Sequence, residues 1–242
     1  MPVHPSTSSS EHSARSVVTR AGASRGGFTL IETALATVIV GLGVLALIDA
    51  QQSFMKSNDW SSHAATATYL ANEVRELTRK LPKHDPVTGL WLQVENGVGT
   101  LRGWGPDAGE TEVDDFDDLD DFDGITFSPG GAVDAINGEL PGPIDAFGTI
   151  IPEILVDGTV PMDENDNALP LQGWTQTVSV EKVDPYDTSV VRSDAYVSAA
   201  IPPNFPGLSV DKFPLRVTVV VRYQGPLEAR PTDVATVVWI VP

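Results

Sequence analysis

The distribution of apolar and polar positions changes character twice along the 242 residues of this chain. Residues 1–27 are Ser-rich and polar, carry Arg15, Arg20 and Arg25 against Glu11, and show no apolar period able to form a core. From Phe28 to Ile48 the pattern is almost continuously apolar, with Glu32 as its one ionisable side chain. As a helix rising about 1.5 Å per residue, that stretch spans roughly 31 Å, close to the hydrocarbon thickness of a bilayer. From Asp49 to Leu81 neither proline nor glycine interrupts. Ala67, Leu70, Ala71, Val74 and Leu77 recur there at helical spacing among Glu73, Arg75, Glu76, Arg79 and Lys80. Together the two stretches predict one long helix, half in lipid and half in water, ended by Pro82. Gly41 and Gly43 each weaken a helix by about 1 kcal/mol relative to alanine, and they mark the expected place of a bend.

Beyond Pro82 the period becomes that of strands. Leu90–Val94, Trp174–Val183 and Tyr196–Ile201 are candidates, and the strongest pair is Leu215–Tyr223 followed by Val234–Val241. Gly225-Pro226 and Pro231 connect that pair into an antiparallel hairpin that closes the chain. Leu215, Val217, Val219, Val221 and Tyr223 face one way and Arg216, Thr218 and Arg222 the other, the pattern of a sheet with one covered face. The amphipathic stripe of the helix is the natural cover. Residues 129–170 are dense in Pro and Gly and read as a long excursion over the surface. The fold class is α+β: a long N-terminal helix packed on an antiparallel β-sheet with a Pro/Gly-rich insertion. The domain plan is a leader at 1–27, a membrane segment at 28–48, an amphipathic helical half at 49–81 and an outer β-rich domain at 82–242.

Composition narrows the classes. Fifteen Lys and Arg against thirty-three Asp and Glu leave a formal charge of −18, which repels a phosphate backbone and argues against nucleic acid as a direct partner. With no cysteine there is no disulfide, thiolate nucleophile or Cys-based zinc site. The basic flank lies N-terminal to the apolar run and Asp49 follows it. The positive-inside rule therefore puts the N-terminus in the cytoplasm and the rest beyond a single membrane crossing. A secretory signal peptide is disfavoured, because its apolar region is typically about 7–15 residues.

The run Arg25-Gly26-Gly27-Phe28-Thr29-Leu30-Ile31-Glu32 resembles the processing site of type IV pilins and type II secretion pseudopilins. The resemblance covers about residues 25–80, and the helical stretch also looks like that of PilV-type minor pilins. It implies a pilin-like fold and cleavage by prepilin peptidase between Gly27 and Phe28, with N-methylation of Phe28. Glu32 stands where the family carries its assembly glutamate. The implied partners are other pilin or pseudopilin subunits, the inner-membrane assembly machinery and membrane lipid, and the implied product is a fibre. Many members have a proline where Asp49 stands, so the family's usual bend is not expected here.

Elementary chemistry points the same way. A carboxylate at mid-membrane costs up to about 2.5–3.5 kcal/mol, and less near the surface. A plain anchor gains by replacing Glu32 with leucine, whereas cleavage creates a counter-charge, the cationic amine of Phe28 on an adjacent subunit. The competing reading is a membrane-anchored acidic binding module that never polymerises.

The second conspicuous segment is Glu110–Gly124, with nine acids and no base before the glycine and Phe116, Leu119 and Phe122 at every third position. Such a run is either solvated or bound to a cation, and calcium is the cation that tolerates irregular oxygen geometry. Asp114–Asp123 matches only in composition, since Phe122 breaks the alternating ligand spacing. Asp163, Asn165 and Asn167 fill three alternate slots, but Ala168 stands where the loop glycine belongs. No catalytic constellation is found. His4, His12, His63 and His84 form no metal-ligand pair, and His63 reads as a helix-surface residue. Trp91, Trp104, Trp174 and Trp239 read as core aromatics. The expected role is therefore structural, with no catalytic residues and no cofactor beyond calcium.

Overall fold

The computed structural model describes Gly27, residues 29–132 and residues 138–242. The chain divides between Phe54 and Met55 into two units. One helix, α1 (Leu30–Thr78, 49 residues), begins in the first unit and ends in the second.

In the first unit every described residue is exposed, including Leu35, Val38, Ile39, Leu42, Leu45 and Leu47. Among the described residues α1 is the one helix long and apolar enough to cross a membrane. It stays α-helical through Gly41 and Gly43, so the expected loosening leaves no break in the hydrogen-bonded helix. It also stops a turn earlier than the pattern suggested. The Thr78 hydroxyl donates back to the carbonyls of Val74 (3.0 Å) and Arg75 (3.3 Å), and the Leu81 amide bonds Thr78 O in a tighter closing turn.

In the second unit α1 covers a mixed five-stranded sheet in the order β4-β3-β5-β6-β7. Its strands are β3 (Thr126–Ser128), β4 (Glu139–Pro141), β5 (Trp174–Lys182), β6 (Leu215–Tyr223) and β7 (Thr232–Val241). All neighbouring pairs are antiparallel except β3 and β4, which run parallel. The alternation in β6 holds: Leu215, Val217, Val219 and Val221 are buried, while Arg216, Thr218, Val220 and Arg222 are half-buried on the other face. β5 repeats it with Trp174, Gln176, Val178, Val180 and Lys182 inside. Ala67, Leu70, Ala71 and Val74 of α1 complete this core.

The small side chains of Ala67 and Ala71 let the helix backbone approach the sheet closely enough for a side chain of β5 to reach it. Gln176 Nε2 donates to Leu70 O at 2.8 Å and to Ile144 O at 3.0 Å, and its Oε1 accepts from the Ile144 amide at 2.8 Å. One fully buried amide thus joins helix, sheet and insertion.

A separate hairpin pairs β1 (Trp91–Glu95) with β2 (Val98–Arg102). Its turn is Asn96-Gly97, both at positive φ (53° and 80°), the dipeptide that two-residue hairpins favour. Trp91 is 47% exposed, so it is not a core aromatic. The strand expected at Tyr196–Ile201 does not form. Only isolated bridges from Ser198 to Leu208 and from Ile201 to Phe205 remain, because Pro202-Pro203 lack the amide donors a ladder needs. Beyond β4, the described part of the Pro/Gly-rich insertion is ordered by tight turns. Asp145, Asp157 and Asp163 each accept backbone amides two to four residues on, and bridges join Ile144 to Ile150, Pro152 to Pro170 and Met162 to Ala168.

Candidate functional site

At the start of α1, Thr29 and Glu32 form a reciprocal capping box. The Thr29 amide and hydroxyl donate to Glu32 Oε2 at 3.3 and 3.4 Å, and the Glu32 amide donates to Thr29 Oγ1 at 3.3 Å. A Thr-x-x-Glu pattern ahead of an apolar run is the sequence signal for such a cap. Glu32 therefore has a local role that its place in an apolar segment did not suggest. Its side chain is exposed at the helix end, where a carboxylate also complements the helix dipole. Gly27 is exposed with no neighbour crowding it among the described residues. Phe28, the other residue of the expected cleavage site and the expected methylation site, lies outside the described residues, as do Arg25 and Gly26.

The acidic segment is folded into the second unit and is not a solvated loop. Its three-residue period matches two 3-10 turns, Val113–Asp115 and Asp120–Phe122, in which every third side chain falls on one side. Phe116, Leu119 and Phe122 enter the core. The segment is anchored to its neighbours through backbone bonds: the Leu119 amide to Pro82 O, the Gly124 amide to Val178 O, and the Val178 amide to Ile125 O.

Burying the apolar third of the segment carries carboxylates in with it. Asp118, Asp120 and Asp121 are at most 2% exposed, and their oxygens lie within 4.8 Å of one another. Asp118 Oδ1 accepts the amides of Asp120 and Asp121 at 2.8 and 3.2 Å. Asp121 Oδ2 accepts those of Asp117 and Asp118 at 3.1 Å. Asp120 Oδ1 accepts the Gly105 amide at 3.3 Å, and its Oδ2 lies 2.5 Å from His84 Nδ1. Asp123 ties the knot to β5 by accepting the Val180 amide at 2.8 Å, and to Trp104 by accepting its indole N–H at 3.3 Å.

Charge in this place is expensive. Burial pushes the Asp118 carboxyl up to about 8, helped by its hydrogen bond to Asp120 and by the charge of Asp120. Burial raises Asp120 and Asp121 as well, against the hydrogen bonds they accept. Burial drives His84 down to about 4, although the charge of Asp118 pulls the other way. His84 Nε2 is buried with no hydrogen-bond partner among the described residues. Lys182 is fully buried and donates to the backbone carbonyl of Asp194, with the rings of Trp104 and Phe213 at 5.9 and 5.6 Å. Its desolvation lowers the ammonium to about 8.

His84 and Lys182 thus belong to a buried polar cluster that linear spacing did not reveal. The one signal was the apolar residue at every third position of the acidic run, which requires one side of that run to face inward. Asp114 and Asp117 of the same run stay at the surface, and Glu110, Asp117 and Asp121 make a second, more open carboxylate group within 4.8 Å. Asp163 is occupied by turn formation: it accepts the amides of Asn165 (2.7 Å) and Asn167 (2.9 Å) and the Asn167 side chain at 3.1 Å. These bonds hold its carboxyl below the usual range. His63 is half-buried rather than free on the helix surface, with its ring 4.3 Å from Tyr223 and 5.6 Å from Trp174.

No protein-family model, no curated protein and no solved structure matches this chain.

Proposed function

We propose that the chain is a structural fibre subunit, a minor pilin or pseudopilin. It would be cut by prepilin peptidase between Gly27 and Phe28, N-methylated on Phe28, and assembled from the inner membrane with its C-terminal domain outside. The observation that carries the reading is α1 itself. A single helix bears one carboxylate in its first turn, a membrane-length apolar stretch whose described residues are exposed, and a buried stripe on the sheet. Phe54, Met55 and Trp60 extend the exposed apolar surface past Ile48. Helices that pack against neighbours in a fibre need such a surface; a bare anchor does not. In the assembly Glu32 meets the cationic amine of Phe28 on the next subunit, which removes the cost of a lone charge in lipid.

The test is the N-terminus of the protein isolated from its native membranes. Mass spectrometry should find N-methyl-Phe28 as the first residue. An intact residue 1–27 leader on functional protein refutes the reading and favours the anchored acidic module.

A further inference from the structure

We propose that the His84–Asp118–Asp120 knot is closed by a proton held between the two aspartates, making the second unit a proton-latched fold that loosens as the medium turns alkaline. The argument is one of charge and partners. Three carboxylates are buried within 4.8 Å of one another, and among the described residues the one basic side chain in hydrogen-bond contact with them is His84. An imidazolium there leaves a charged N–H at Nε2 buried with no acceptor, whereas the neutral ring with its proton on Nδ1 leaves only a bare lone pair. Orphaned acceptors are better tolerated than orphaned donors. His84 is therefore neutral and donates to Asp120 Oδ2 at 2.5 Å. Asp120 is then the carboxylate that accepts, from His84, from Gly105 and from Asp118. Asp118 already spends Oδ1 on two backbone amides, so its second oxygen carries the proton. Two such carboxyl groups in one dry site cannot both ionise cheaply.

The surrounding charges do not supply a substitute. Lys83 and His84 approach from the segment after α1, but the Lys83 ammonium donates to Phe213 O at 3.0 Å. Lys182 from β5 is turned to the Asp194 carbonyl, and Asp194 itself is another acid. Asp211 faces His84 from the turn before β6, where it pairs with Lys212 at 2.8 Å. Glu110 and Asp123 of the acidic segment add negative charge, and the Asp117 carboxylate lies within 4.8 Å of Asp121.

Asp118 goes from 3.8 in the unfolded chain to about 8 in the fold. Its contribution is complete below pH 3.8 and is lost as pH rises to about 8. The folding constant should fall about tenfold per pH unit across that window from this one proton. The experiment is urea denaturation of the full-length protein in detergent micelles from pH 5 to 9, comparing wild type with Asp118→Asn. The asparagine amide replaces the donor without a titration. The ratio of the variant's folding constant to that of wild type should climb about tenfold per pH unit between pH 5 and 8. Infrared spectra of wild type, recorded whether or not the variant folds, should show a protonated carboxylic acid at pH 6 that is gone at pH 9. A pH-independent ratio, or no protonated acid at pH 6, overturns the proposal. So does a rise in wild-type stability with millimolar calcium at pH 7 that removes the acid band, because the knot would then be an ionised cation site.

Discussion

Gln176→Leu isolates what the buried amide contributes. The two side chains are similar in size, Gln176 is fully buried, and no void is opened. What is lost is the partner of both backbone groups of Ile144, the N–H at 2.8 Å and the C=O at 3.0 Å. The Leu70 carbonyl keeps its intrahelical bond, so it is not stranded. Each orphaned buried group costs about 1–3 kcal/mol, and the added apolar surface of leucine offsets part of the sum. The expected loss is therefore about 2–4 kcal/mol. Urea denaturation of the full-length protein in micelles, followed by tryptophan fluorescence, measures it, and hydrogen exchange should accelerate at Ile144 before it does in β6. Gln176→Asn, whose amide is one methylene short of both partners, should lose a similar amount. A loss below about 0.5 kcal/mol for Gln176→Leu, within the range of an ordinary surface change, would mean that the insertion is held by its own turns and that the amide is incidental.

Leu70→Ala removes the largest α1 side chain in the core and should cost about 2–5 kcal/mol in the same denaturation assay. Gly142→Ala should destabilise the insertion, because a Cβ there would sit 2.6 Å from the Cβ of Phe127 and 3.2 Å from its Cα. Faster protease cleavage between 142 and 170 reads that out. Glu32→Val should insert into the membrane normally and fail to enter fibres, and Glu32→Gln should do the same. Pull-down with the major subunit scores both.

The parts of the fold visible in the sequence are those whose side chains alternate or repeat over several periods. Buried and half-buried residues alternate in β5 and β6, half-buried and exposed ones in β7, and Ala67–Val74 form a buried helical stripe, so the period states both element and orientation. β3 and β4 have three residues each, too few to establish a period, and they owe their place to pairing with β5 and with each other. β1 answers to the strand read at Leu90–Val94, while β2 was legible in principle through Asn96-Gly97, a short-range hairpin signal that outweighs the modest apolar content around it. The solvated alternative for the acidic segment fails for a physical reason. Nine acids suggest solvation, but three apolar residues at a 3-10 period anchor the chain inward and force adjacent aspartates to follow. His84 could be found only in three dimensions, since its partner Asp120 stands thirty-six residues on.

Glu32 is where sequence and structure offer different reasons for one residue, and magnitudes separate them. The capping box satisfies helix-end donors, but its bonds of 3.3–3.4 Å are longer than the 2.7–3.2 Å of well-formed N–H···O contacts. A full cap contributes about 0.5–2 kcal/mol, and this one belongs at the lower end. A carboxylate drawn toward mid-membrane costs about 2.5–3.5 kcal/mol. The cap therefore suffices only while Glu32 stays at the membrane surface, and not if the proposed fibre carries the helix start inward among its neighbours. Glutamine serves a capping box as glutamate does but brings no charge. If charge pairing with the Phe28 amine drives assembly, Glu32→Gln keeps the helix start, measurable by amide exchange at Thr33, and loses incorporation. Normal incorporation of Glu32→Gln alongside failure of Glu32→Val would assign the residue to the cap, and the interchain ion pair would have to be abandoned.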